Sequence, residues 1–425
     1  MKRKSIPFLF TAFLLSQSVR AESMYSLKEV IDLAAKSSPE LKEKRSGKEA
    51  AEAAVKIARA SYLPQVDFQV TDSAGFPGSS GMTGVGGIMG SPFRSGYAYG
   101  FALKQRLWDF GRTAGEESAA ISGSAAESAD LQLSTYQIKV RAMRAFFDCS
   151  LQRSQVDAWK LIRQEAETVA GEVSSLVGTG QRSVVEKYLV QAQVEEARTN
   201  ELGFSERVRG SLRRLSILTG ETNERICPLL PKTLPLESSP LDSKSESNVF
   251  IGRADAERKI AHAKLSQAKA GHLPYLVGVA SLGAFENTRL VPEKNYSVGI
   301  GVVIPLFDGL RTTADVQRAE ALEAKSEHAR DTVLQQTALL ESDWSASVDS
   351  SRVRFQHLTE EQSKARMAVS IARKRYFAHQ GTLVDLRESL RNLGRTFTLL
   401  NEASADYWIS NVTRTLFKTD RESSP

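Results

Sequence analysis

A seven-residue motif that occurs twice sets the strongest limit on what this chain can fold into. Leu107-Trp108-Asp109-Phe110-Gly111-Arg112-Thr113 recurs as Leu306-Phe307-Asp308-Gly309-Leu310-Arg311-Thr312, a shift of 199 positions. The same shift, without a gap, carries Ser183-Val184-Val185-Glu186 onto Thr382-Leu383-Val384-Asp385. Identical spacing over about 75 residues predicts a rigid rod in each copy, because loops readily gain and lose residues. Upstream, Tyr62-Leu63-Pro64 aligns with His272-Leu273-Pro274 at a shift of 210, so the first copy carries 11 extra residues there. They fall in the Gly-rich stretch Ser73 to Gly96, which reads as a loop.

Around that loop the apolar pattern has period two, with Val66, Phe68 and Val70 before it and Tyr97, Tyr99, Phe101 and Leu103 after it. The second copy shows Tyr275, Val277 and Val279, then Tyr296, Val298, Ile300, Val302 and Ile304. Each copy therefore predicts two strands of roughly 9 to 12 residues, the length of a tilted strand crossing a membrane. From Arg112 the period becomes helical, with Tyr136, Val140, Met143, Phe147 and Leu151 in the first copy. Trp344, Val348, Ser351, Phe355 and Leu358 repeat that spacing in the second. No proline interrupts either region, and Arg112 to Gly180 as one helix would run roughly 100 Å. The turns Gly178-Thr179-Gly180 and Gln380-Gly381 then reverse the chain, with Ser183 and Thr382 placed to cap return helices reaching about Leu218 and Phe417. Those return helices are shorter than the long ones. Helical stretches Pro39 to Leu63 and Asn248 to Leu273, stacked end to end on them, make up the difference.

At the N-terminus, Lys2-Arg3-Lys4 precedes the apolar run Ile6 to Leu15 and then Val19-Arg20-Ala21, the pattern of a secretory signal. The predicted division is a signal over 1–21, a first repeat over 22–226, a linker over 227–247, a second repeat over 248–418 and a polar tail over 419–425. The linker holds Pro228, Pro231, Pro235 and Pro240. Lys2, Arg3, Lys4 and Arg20 lie in a segment with no acidic residue and supply four of the formal charge of +6, leaving +2. That balance gives a nucleic-acid partner no support. No later stretch predicts a membrane-spanning helix, and no cysteine near Ala21 suggests a lipid anchor. Cys149 and Cys227 would enter an oxidising compartment. Pairing between them stays open, with the strongly helical setting of Cys149 and the Pro-rich linker after Cys227 weighing against it.

Four strands per chain cannot close a barrel, and an open sheet edge is not tolerated in lipid. Oligomers contributing four strands each can close one, with eight strands for a dimer or twelve for a trimer. Eight leave an interior filled by side chains, whereas twelve enclose a lumen. The helices would continue the wall as a coiled tube.

Across essentially the whole mature chain the sequence resembles the TolC-type outer-membrane efflux proteins. The resemblance runs from Tyr25-Ser26-Leu27-Lys28-Glu29-Val30, Ala34 and Ser37-Ser38-Pro39-Glu40-Leu41 to the C-terminal helix. Its most specific marks are the paired Leu-Pro strand starts, the Pro305-Leu306-Phe307-Asp308-Gly309 junction and the doubled hairpin turn before an acidic residue. It implies a mainly α protomer of long helical hairpins with four membrane-spanning strands, a homotrimer with a twelve-strand β-barrel in outer-membrane lipid, and a long periplasmic α-barrel. It implies a passive duct of a tripartite efflux or type I secretion system, docked by a periplasmic adaptor and an inner-membrane transporter of ABC or RND type. Asp385, Glu388 and Tyr376 match the family's periplasmic aperture, with Glu186 at the equivalent acidic position of the first copy. Rings of such carboxylates would select cations and raise some of one another's pKa values. Gly178, Thr179, Gly180, His379 and Gly381 would form the turns that meet the adaptor. Two departures stand out. The family often has arginine where this chain has Gly381, which puts a tip closed by a tyrosine–arginine network in question, and its second turn glycine is His379, read as a solvated turn residue.

No cofactor, metal or catalytic residue is expected. His262, His272, His328, His357 and His379 form no close pair, and Gly299-Ile300-Gly301 suits a strand of small residues better than a phosphate loop. Tyr97, Tyr99 and Tyr296 fit an interfacial aromatic girdle or ordinary strand packing equally well. A partner-independent open pore and a secreted coiled-coil scaffold or adhesin are the alternatives. The scaffold has no use for paired strands of membrane length.

Overall fold

The computed structural model describes residues 24–73, 96–231, 233, 249–286 and 292–419. The expected signal over 1–21, most of the Gly-rich loop and of the linker, and nearly all of the tail lie outside them. In order come α1 (Leu27–Ser37), α2 (Pro39–Ala60), β1 (Gln65–Ser73), β2 (Gly96–Trp108), α3 (Arg112–Gly178) and α4 (Val184–Thr219). Then follow α5 (Gly252–Lys269), β3 (Tyr275–Glu286), β4 (Pro292–Val303), α6 (Arg311–Phe377) and α7 (Leu383–Thr419).

The ungapped shift reappears in the helices. Each motif copy opens a helix of 67 residues, α3 and α6. Local chemistry fixes the starts. Ser26 and Glu29 form a reciprocal capping box on α1, and Ser38 caps α2 with Pro39 in its first position. At each strand-to-helix elbow an aspartate takes over the capping role. Asp109 accepts the Thr113 amide at 2.8 Å and Asp308 accepts the Thr312 amide at 2.9 Å, each also accepting the threonine hydroxyl. Both elbows need two consecutive left-handed residues, Phe110 and Gly111 in one and Gly309 and Leu310 in the other. The glycine relieves the first position in one copy and the second in the other, which explains why the motif swaps Phe-Gly for Gly-Leu.

α3 is the spine. It touches α1, α2, α4, α5 and α7, with α6 lying on α5 and α7. As expected, the leading helices complete the return helices. The Ser37 hydroxyl at the α1–α2 junction donates to the Leu218 carbonyl at 2.8 Å, satisfying the end of α4. Val249 and Phe250, just before α5, share a cluster with Leu416 near the end of α7. Arg253 of α5 and Lys44 of α2 both pair with the buried Asp130 of α3, joining the two copies.

The four strands form one antiparallel sheet in the order β1-β2-β3-β4, so the outer edges of β1 and β4 are open. Register puts Val66, Phe68 and Val70, then Tyr99, Phe101 and Leu103, then Leu276, Ala280 and Leu282, then Tyr296, Val298, Ile300 and Val302 on one face. Its large side chains are exposed, Tyr296 and Val298 by 84% each. The other face carries Asp67, Gln69, Lys104, Gly299, Gly301, Ser281 and Ser297, the last two hydrogen-bonded to each other. This corrects one expectation. Tyr275, Val277 and Val279 lie on the small and polar face, where Val277 and Val279 fill the space over Gly301 and Gly299. The run Tyr275-Leu276-Val277 is apolar on both faces, so period two could not choose, and the partner register does. Tyr99 and Tyr296 share the apolar face; Tyr97 pairs opposite Glu286.

Cys149 and Cys227 form a disulfide, with Cα atoms 5.6 Å apart. The considerations weighing against it fail because the chain turns back sharply. Gly220 ends α4 in a left-handed conformation, Asn223 caps a short 3-10 turn over Glu224–Ile226, and Cys227 lands against α3. There Arg153 donates to the Cys227 carbonyl at 2.7 Å and the Leu230 amide to the Ser154 hydroxyl at 3.0 Å. The bond closes a separation of 78 residues. Cys149→Ser with Cys227→Ser is expected to lower stability by about 2–4 kcal/mol, read as a lower unfolding temperature under non-reducing conditions.

Candidate site at the hairpin tips

The tips of the two hairpins meet through Tyr376, the last-turn residue of α6. Its side chain is fully buried, and its hydroxyl donates to Glu186 Oε2 of α4 at 2.8 Å. Arg182, in the turn of the first hairpin, donates from Nη2 to the Tyr376 carbonyl at 2.8 Å. Its guanidinium lies 4.3 Å from the Tyr376 ring centroid, and it pairs with Glu186 at 3.9 Å. Burial, then the Glu186 hydrogen bond and charge, push the Tyr376 hydroxyl up to about 12 against the opposing pull of Arg182. The tyrosine is thus a neutral donor at physiological pH, locked between two charges.

The missing arginine is therefore supplied from elsewhere. By the 199 shift Arg182 occupies in the first copy the place of Gly381 in the second, so the tyrosine–arginine contact runs between hairpins. The question raised by Gly381 is thus answered by Arg182, which lies against Tyr376. The repeat held the signal that could have found Arg182. Gly381 has its own reason. A Cβ there would lie 3.1 Å from Arg375 Cβ and 3.2 Å from the Tyr376 amide nitrogen. His379 takes a left-handed conformation, φ 59°, as its counterpart Gly180 does at 75°, and its side chain is exposed. Gly178 closes α3 and Thr179 follows as its cap, its hydroxyl donating to the Leu176 carbonyl at 3.0 Å.

Asp385 and Glu388 sit one turn apart on α7, and both are exposed. Asp385 serves as partner of a cap. It accepts the Thr382 hydroxyl at 2.8 Å while its own amide donates to that hydroxyl at 3.1 Å. Those hydrogen bonds hold its carboxyl below the usual range. The raised values expected of a carboxylate ring are not a property of Asp385 in a single chain. Further contacts cross between the hairpins: Arg373 of α6 with Glu165 at 3.0 Å and Glu172 at 2.5 Å on α3, and Arg391 of α7 with Glu196 of α4 at 3.4 Å. No group of three metal-ligating side chains occurs among the described residues.

A sheet with one apolar and one polar face, open at both edges and continued by helices of 67 residues, is the architecture of a channel-type membrane protein. None of the described helices is long and apolar enough to cross a membrane. The model of the outer membrane efflux protein family matches residues 30–221 and 244–413, and the chain belongs to that family. It is an outer-membrane channel protein and not an enzyme. It is 22% identical to the outer membrane protein TolC of Vibrio cholerae over 96% of this chain and 93% of that one. Among solved structures it superposes on the outer membrane protein VceC of Vibrio cholerae with a TM-score of 0.80 at 16% identity, covering 92% of this chain and 95% of that one. The CmeC outer membrane channel of Campylobacter jejuni gives 0.79 at 17% identity, covering 100% and 96%.

Proposed function

We propose that three copies close a twelve-strand barrel in the outer membrane, that their hairpins form a periplasmic tunnel, and that the assembly is the passive exit duct of a tripartite efflux or secretion system. The supporting observation is the sheet. Its apolar face suits lipid, its small and polar face suits a lumen, and its two open edges have no other means of satisfaction in a bilayer. Residues 1–21 direct export, and repeats 22–226 and 248–418, joined by 227–247, give the tunnel two hairpins of equal depth per chain. A periplasmic adaptor, carrying an inner-membrane transporter, meets the tips. Val184, Val185 and Tyr188 of the first hairpin and Val384 of the second are exposed apolar side chains beside the turns at Gly178, Thr179, Gly180, His379 and Gly381, which favours a protein partner.

At the tunnel's narrow end, Asp385 and Glu388 of three copies form acidic rings, and Tyr376 with Glu186 holds them together. Asp385→Ala with Glu388→Ala is expected to raise conductance in planar bilayers and reduce cation preference. Because Asp385 also caps α7, Thr382→Ala is the matching control. It removes the cap and keeps the charge, and its conductance stays at the parental level. Unchanged conductance in the double variant sinks the aperture reading. The scaffold alternative gives no conductance at all.

A further inference from the structure

Beside Leu229, Leu230 and Pro231, a cavity of about 440 Å³ opens between α3 and α6 with α7 as its floor. That volume lies within the range of small-molecule sites. Its walls come from both copies: Leu161 of α3, Phe355 of α6, Phe397 of α7, and Leu230 just past the disulfide. The floor holds Ser404, only 3% exposed, whose hydroxyl has no hydrogen-bond partner. A buried hydroxyl without a partner is costly, and a ligand atom would satisfy it. The rims carry Asp157 on α3 and Arg366 on α6, both exposed and neither in an ion pair among the described residues, so the mouth is charged on two sides. Arg366 lies over the Phe397 ring, 5.0 Å from its centroid, and keeps that aromatic wall in place.

We propose that this cavity binds a small, uncharged amphipathic molecule, an aromatic or aliphatic body carrying one hydroxyl or carbonyl that pairs with the Ser404 hydroxyl. The site is separate from the tips and does not depend on how they open. A bound molecule touches α3 of the first repeat and α6 and α7 of the second, so it stabilises the seam between them and raises the unfolding temperature.

The probe is 6-bromo-2-naphthol, soaked into crystals of the full protein and titrated calorimetrically into protein held in amphipol. Expected are one bromine anomalous peak per chain inside the cavity, a matching stoichiometry in solution and a higher unfolding temperature. Ser404→Leu fills the cavity from its floor and Ala158→Leu from the α3 wall, two independent routes should one variant fail to fold. Each folded variant is expected to bind roughly tenfold more weakly or worse. No peak in the cavity at saturating probe overturns the proposal, as does parental affinity in a folded filling variant, or a peak with no saturable binding in solution.

Discussion

Tyr376→Phe combined with Arg182→Ala is expected to raise the single-channel conductance severalfold and to lengthen open events. The phenylalanine removes the hydroxyl that donates to Glu186, and the alanine removes both the carbonyl contact and the cation over the ring. A hydrogen bond to a charged group and a partly buried cation–π contact together contribute about 2–4 kcal/mol. Losing that much shifts a closed-to-open ratio by roughly a hundredfold. Burial of the aromatic ring survives in phenylalanine, so the fold is retained and the effect is confined to the tip. Alkali provides a second readout. With its hydroxyl raised from about 10 in the unfolded chain to about 12 in the fold, Tyr376 would, on the proposed aperture reading, stabilise the closed tip fully below pH 10. That contribution is lost as pH climbs from 10 toward 12, so conductance rises over that window in the parent and stays flat in Tyr376→Phe. Parental conductance in the double variant, with no alkaline rise in the parent, removes Tyr376 from any latch.

Gly100→Val is expected to reduce assembled protein in the outer membrane by roughly tenfold or more, measured by membrane fractionation and by the fraction running as oligomer on mild gels. Gly100 of β2 faces Gly283 of β3 across the strand pair that joins the two repeats. A Cβ on Gly100 would stand 2.5 Å from both Gly283 Cα and the Leu282 carbonyl oxygen, backbone atoms that have no room to move. Carbon atoms prefer 3.5–4.0 Å, so the ladder must separate. Gly299→Ala is the control from the next strand. Its Cβ meets only Val279 Cγ2 at 3.8 Å, an ordinary contact, and normal assembly is expected.

Most of the architecture was legible in the residues because it rests on lengths. The ungapped 199 shift between the motif copies foretells two long helices of equal length, and the capping residues Ser183 and Thr382 mark where each return helix begins. What stayed hidden depends on contacts between segments far apart in the chain. The side of β3 that faces outward is set by its partners, since Tyr275-Leu276-Val277 is apolar both ways. The disulfide depends on the reversal after Gly220, a turn that no cysteine spacing records. At the tips, the acidic positions and Tyr376 were reached through the family resemblance, yet their partners were not. Asp385 turned out to face Thr382 within its own turn, and the arginine beside Tyr376 comes from the other hairpin. Applying the shift to Gly381 would have pointed at Arg182, because equivalent positions of a duplicated hairpin end at the same depth.

The elbows share one acid sensitivity. Hydrogen bonds from Thr312 hold the Asp308 carboxyl below the usual range. Burial acts to raise Asp109, but hydrogen bonds from Thr113 and Arg106 outweigh it and hold that carboxyl low as well. Both caps are therefore fully effective above the ordinary carboxylate range and weaken as pH falls through and below it, loosening the start of α3 and α6 together.

Closure of the sheet by neighbouring copies is the claim on which the rest depends, and cross-linking of its two open edges tests it most directly. A cysteine replaces Phe68 on β1, and a second is moved in turn through Tyr296, Val298, Ile300 and Val302 on β4 of the same chain. Oxidation in intact outer membranes is expected to join β1 of one copy to β4 of the next at one of these positions, giving a covalent ladder that stops at three chains. A ladder ending at two, one that continues past three, or no linkage at any of the four positions would contradict a trimeric barrel.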